Sequence, residues 1–269
     1  MDTEALIRAR YGSLPFQPAE IPPGLALLLD RRVTRRYRTD DVQDALLDTV
    51  LAGAQSAPAK SDLQQYSILV TRDAKKIAAV ADAIGTMPWI KDAPVLLLFC
   101  GDIRRGRQVC ALHGRAHAND SVDTFLNASA DAALALGFCV MAAEAAGLGT
   151  CPISYVRNHL DLVADLFGLP DGVFPVAGLA LGWPAARNAT SQRLPPSVVV
   201  HRERYDDSGL AAALPGYDAL RPPAKPRYPD VHGAKPEGCV WSENAARQLS
   251  VPERANLRAW LVGRGINLG

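Results

Sequence analysis

Apolar positions change period several times along the chain, and the changes divide it into elements. A short helical pattern around Ala5 to Tyr11 gives way to a proline-rich turn region, Pro15 to Pro23. A second helix then runs through Leu25 to Leu29 and into a group of arginines. Asp40 or Asp41 is placed to cap the next helix, in which Val42, Leu46, Leu47, Val50 and Leu51 recur at helical spacing. A Gly/Ala/Pro segment, Gly53 to Pro58, ends it. Tyr66 to Thr71 reads as a strand, and Ala93 to Cys100 as a fully buried one because its apolar run is nearly unbroken.

The longest helix candidate is Asp123 to Ala146. Its residues are apolar or small all round, with Asp131 and Glu144 the only charges after Asp123. Such a pattern predicts burial on every side, either at the centre of the core or at the core of a dimer. Gly147 and Gly149 read as its stop. Phe174 to Trp183 is another buried strand, closed by Pro184, and Ser197 to His201 is a short β-branched run. Pro215 to Pro236 has much proline and little periodicity and reads as an extended arm. An amphipathic helix, Pro252 to Val262, closes the chain. With no repeat of 20–50 residues, the pattern predicts one α/β-type core with long arms at both ends.

Composition narrows the function class. The 269 residues are 48% hydrophobic and 21% charged, ordinary for a globular protein. A net charge of +1 argues against a dedicated nucleic-acid binder. The most apolar stretch, Ala132 to Ala143, is shorter than the roughly 20 residues a bilayer requires, so no membrane partner is expected. The acidic start Met1-Asp2-Thr3-Glu4 carries no secretory signal. The five cysteines form no CxxC pair and mostly sit in apolar runs, which suits a reduced, cytoplasmic setting.

Three segments carry candidate chemistry. Arg31-Arg32-Val33-Thr34-Arg35-Arg36 suits either a phosphate clamp or a solvated basic face. Ala57 to Tyr66 offers backbone N–H groups, a lysine and amides to a flat polar ligand, or is an ordinary helix-to-strand connection. Gly147 to Tyr155 contains a GxG after a helix, and with Leu181-Gly182-Trp183-Pro184 downstream it does not form a Rossmann fingerprint, which follows a strand and opens a helix. Arg104 to Asp120 reads as a polar loop whose arginines face a charged ligand or solvent. His113 and His117 have the spacing of a metal pair but lack a third ligand, so no metal is expected.

Taken in order, the arginine box, the AP-x-x-x-x-LQ loop, the small-residue helix ending in GLG and the strand ending in LGWP resemble the FMN-dependent nitroreductase/flavin reductase family. The likeness is strongest to its NADPH-linked branch, which holds the oxygen-insensitive nitroreductases and NADPH–flavin reductases. It spans roughly Leu28 to Tyr205. It implies an α+β fold with a mixed β-sheet flanked by helices, in an intertwined homodimer with an extended C-terminal arm. The implied divisions are a helical arm at 1–30, an FMN-binding core at 31–205 and an extension at 206–269 wrapping the partner subunit.

The resemblance also implies site residues. Arg31, Arg32, Val33 and Arg35 fall on the arginine box, and Arg193 on a late phosphate ligand. Pro58, Ala59, Lys60, Asp62 and Gln64 match a loop lying along the flavin from the neighbouring subunit. Pro152, Ile153, Ser154 and Tyr155 match the segment whose backbone reaches the flavin N5. No single side chain is assigned as catalytic. FMN is the implied cofactor, NADPH or NADH the donor, and nitroaromatics, quinones or flavins the small-molecule acceptors in ping-pong turnover. Reductive dehalogenation, flavin breakdown and non-catalytic flavin binding are the alternatives. Val33 replaces a usual serine, Ser191 a usual lysine, and Ser154 and Tyr155 the usual glycines.

Overall fold

The computed structural model describes residues 2–269; Met1, the first position of the expected N-terminal arm, lies outside the described residues. In chain order the elements are α1 (Thr3–Tyr11), α2 (Pro23–Asp30), α3 (Asp44–Gln55), β1 (Tyr66–Thr71), α4 (Ala74–Ile84), β2 (Val95–Asp102), α5 (Arg104–Leu112) and α6 (Val122–Ala145). There follow β3 (Gly149–Ile153), α7 (Leu160–Phe167), β4 (Val173–Gly182), α8 (Pro196–Val199), α9 (Leu210–Leu220), α10 (Pro229–His232), α11 (Trp241–Leu249) and α12 (Leu257–Gly263). The described residues fall into two compact units, 2–31 with Ala189–Glu253, and Arg32–Asn188 with Arg254–Gly269.

The larger unit is built on a four-stranded sheet of order β1-β2-β4-β3. All three strand pairings are antiparallel. The parallel element of the expected mixed sheet is one bridge, Val33 to Thr150. β2 is buried along its whole length because both of its faces are covered. Val95, Leu97 and Phe99 pack with residues of α3 and α6, while Leu96, Leu98 and Cys100 pack with residues of α4 and α7. The strand period of two thus sorts one apolar run into two cores. α12 closes a third cluster, in which Leu261 and Ile266 meet Ile103 and Phe174.

Local chemistry sets several ends. Asp73 caps α4 by accepting the Lys75 N–H at 2.8 Å, and Gly168 ends α7 in the left-handed region. The expected aspartate cap of α3 is not used. Asp40 pairs with Arg38 and Asp41 with Arg72, each at 2.7 Å, and Gln43 precedes the helix without a side-chain cap.

Within one chain, α6 departs from burial on every side. Ala128, Asp131, Ala132, Ala135, Cys139 and Ala143 face inward, but Leu126 is 63% exposed and Leu134 and Phe138 are each 42% exposed. At 24 residues it is also long and apolar enough to cross a membrane, which the shorter run Ala132 to Ala143 had not indicated. Here its inner face is packed on α3 and the sheet.

In the smaller unit, the β-branched run Ser197 to His201 is a helical turn at its start, because Pro195 and Pro196 preset its first residues. The expected extended arm begins inside a helix, α9, formed despite Pro215 and anchored by buried Tyr217. Tyr217 stacks edge-on against Trp241 at 5.1 Å, and Asp218 caps α11 through the Ser242 N–H at 2.9 Å.

Candidate functional site

The arginine box does not hang free. Thr34 N–H donates to the Thr150 carbonyl at 2.8 Å, Arg38 N–H to the Trp183 carbonyl at 2.8 Å, and Ala185 N–H to the Arg36 carbonyl at 2.9 Å. Asn188 Nδ2 donates to the Val33 carbonyl at 2.5 Å. Residues 33–38 therefore lie along β3 and the end of β4, and three of the sequence motifs become one surface. Gly149 makes the approach possible, since a Cβ there would come within 2.7 Å of Thr34 Cβ. Beneath the box, the Tyr37 hydroxyl donates to the Thr34 carbonyl at 2.9 Å, with the Ala180 carbonyl as a second acceptor within reach at 3.3 Å. Burial, with a smaller contribution from Cys151, pushes its pKa up, so it stays a neutral donor.

Arg35 sits 6.0 Å above the Trp89 ring. β3 is an edge strand, which tolerates Pro152 because no N–H is needed on its outer side. Pro152 and Ser154 are exposed and Ile153 is buried. Ser154 opens a 3₁₀ turn, and Tyr155 is half-buried against the core. Val33, Pro152, Ile153, Ser154 and Tyr155 are thus brought together with Arg32 and Arg35 in one unit.

The second candidate segment is a strained loop. Lys60–Asp62 form a 3₁₀ turn, and Ser61, Asp62 and Gln64 have φ of 51°, 55° and 51°, unusual for side chains larger than glycine. One carboxylate holds it. Asp131 on α6, 1% exposed, accepts the backbone N–H of Lys60 through Oδ1 and that of Gln65 through Oδ2, each at 2.9 Å. A buried carboxylate needs such partners, and charge-assisted bonds are the stronger kind. Lys60, Asp62, Leu63 and Gln64 project outward.

The stretch expected as a polar ligand-facing loop is α5 and a turn, and two of its arginines are committed to structure. Arg105 donates to the carbonyls of Gln64 (2.6 Å) and Tyr66 (2.8 Å), while Arg107 pairs with Asp120 at 2.6 Å. A cavity of about 560 Å³ opens beside Lys60 and Leu63, with Val109, Cys110 and His117 among its other walls.

Within one chain the loop and the box do not meet across the sheet. The loop enters β1 at Tyr66, opposite Gly101, whereas the box lies at Thr150 and Gly182 on the other edge. Three strand spacings and about six residues along β2 separate them, roughly 14 Å by 20 Å.

In the smaller unit, Arg10 of α1 is 6% exposed and donates to the carbonyls of Ser191 (2.9 Å), Leu29 (2.6 Å) and Arg31 (3.0 Å). The Arg193 N–H donates to the Arg10 carbonyl at 2.8 Å. Arg31 and Arg193 are therefore tied to a common brace. Sequence reasoning had noted Asp131 only as a rare charge in an apolar helix, and nothing had marked Arg10.

The chain matches the Nitroreductase family over residues 28–183 and its C-terminal domain over residues 191–269. It is 36% identical over 194 residues to an FMN reductase [NAD(P)H] of Bacillus subtilis, covering 71% of this chain and 78% of that protein. It is 30% identical over 247 residues to an oxygen-insensitive NADPH nitroreductase of Salmonella typhimurium, covering 90% and 98%. The solved structure of NfrA2 from B. megaterium superposes with a TM-score of 0.84 at 31% identity, covering 93% of this chain and all of that one. The chain belongs to the nitroreductase family.

Proposed function

We propose that the protein is an FMN-dependent NAD(P)H oxidoreductase that works as a homodimer and reduces nitroaromatics, quinones or flavins in ping-pong turnover. The observation that carries this reading is the pairing of Val33 and Thr34 with Thr150, which seats a cationic segment along the edge strand leading into Pro152–Tyr155. Guanidiniums beside a strand that ends at exposed Pro152 and Ser154 form a donor set suited to a phosphorylated, planar, hydrogen-bonding ring. Bound FMN supplies hydride acceptance and donation. The chain's part is to hold that ring, neutralise charge at its edge and shape access to it.

Arg32 and Arg35 place positive charge where negative charge builds on reduction. Arg31 and Arg193 are assigned to the phosphate. The outward side chains of the loop, with Pro58, Ala59, Lys60, Asp62 and Gln64, wall the ring of a second copy, because the sheet separates them from their own chain's box. Burial of the still exposed parts of Leu126, Leu134 and Phe138 on α6 would favour that association by about 1 kcal/mol per side chain. The cavity beside Lys60 has room for a small aromatic acceptor. A cytoplasmic location accords with five free cysteines. The relatives named FMN reductase and NADPH nitroreductase support the same activity.

The test is the absorbance of the purified protein followed by anaerobic titration with NADH and NADPH. Yellow colour that bleaches with either nucleotide, and returns when a nitroaromatic is added, is the expected result. A colourless protein that takes up no FMN would end this reading.

A further inference from the structure

α1 lies before residue 28, where the family match begins. α1 is firmly seated within its unit. Leu6 and Ile7 are buried, and Gly12 turns the chain at φ 76° where a Cβ would come within 2.7 Å of Leu220 Cδ1. From this anchored helix, one guanidinium spans the carbonyls of Leu29, Arg31 and Ser191. The Arg10 carbonyl also receives the N–H of Arg193. The helix therefore fixes the main chain at two places from which candidate phosphate ligands project.

We propose that Arg10 is a positioning residue that presets Arg31 and Arg193 for the FMN phosphate; this rests on the FMN reading above. A planar fork with several donors can hold three carbonyls together, whereas an ammonium is a compact point charge on a flexible stem. Fixing the backbone before the ligand arrives lowers the ordering cost of binding. The effect is confined to the phosphate end and leaves the contacts of the ring unchanged.

Riboflavin, which has the ring without the phosphate, separates this role from a merely structural one. Apo-protein of wild type, R10A and R10K is titrated with FMN and, separately, riboflavin, following the quenching of flavin fluorescence. In both variants the Kd for FMN is expected to rise about tenfold or more, equivalent to at least about 1.4 kcal/mol, while that for riboflavin stays within about twofold of wild type. R10K retains the charge and carries the same comparison if R10A does not fold. Unchanged FMN affinity, or equal weakening of both ligands, overturns the inference while leaving the FMN reading intact. A wild-type protein that binds neither flavin overturns both.

Discussion

Asp131 Oδ1 receives the backbone N–H of Lys60 at 2.9 Å, although 71 residues separate the two in sequence. Its other oxygen receives Gln65, so one side chain brackets a loop with three residues in the left-handed region. Asp131→Ala leaves two backbone donors without their acceptor and is expected to cost about 2–4 kcal/mol in urea unfolding. It should also expose the segment 58–65 to proteolysis. A loss below about 0.5 kcal/mol, with the loop still protected, would contradict the assignment.

Gly149→Ala tests the contact between β3 and the arginine box. A Cβ at that position meets Thr34, and the crowding is expected to cost about 1–3 kcal/mol and lower flavin content. Gly24→Ala is the control, since nothing lies within 4 Å of the added carbon. Equal behaviour of the two variants would show that the box does not depend on this approach.

If the loop serves a neighbouring chain, defects should complement. Arg32→Ala combined with Arg193→Ala is expected to release FMN while the protein still elutes as a dimer in gel filtration. Mixed dimers of that chain with one lacking 60–64 then hold one intact site of two. About half the wild-type flavin per dimer is the expected yield. None at all would place loop and box in the same chain's site.

Three buried acids predict weakening at alkaline pH. Burial raises the pKa of the Tyr37 phenol and the Cys100 thiol, and pushes the Cys139 thiol up to about 12. The folded state holds these protons after the unfolded chain has released them, so it binds more protons in that window. Stability is therefore fully present below the unfolded values of 9.0 for the thiols and 10.0 for the phenol, and falls as the pH rises toward the folded values. Each group adds a slope of about 1.4 kcal/mol per pH unit within its window. Urea midpoints measured from pH 7.5 to 10.5 should decline, and Tyr37→Phe should flatten the upper part. A flat profile would refute the account.

Strands that sit between two covered faces were legible because burial leaves an unbroken apolar run, as in Val95 to Cys100 and Val173 to Leu181. β3 was not, since an edge strand tolerates the glycine and proline of Gly149-Thr150-Cys151-Pro152-Ile153, and those residues read as a helix stop. α5 was missed for a related reason. It has no buried residue, and its arginines gave no apolar stripe. Of the candidate site, the arginine box and the loop were readable as motifs. Their supports were not, because Asp131 and Arg10 act through main-chain partners up to 181 residues away, which no local pattern encodes.

The inward and outward faces of α6 belong to one rod. Asp131 grips the loop from within, and Leu134, three residues further on and so about 60° round the helix, stands at the open border of the same face. If two copies pair through Leu134 and Phe138 as proposed, the neighbour presses on the anchor of its own cofactor wall, so assembly and readiness for the ring rise or fall together. A lone chain would carry a slacker wall than a paired one.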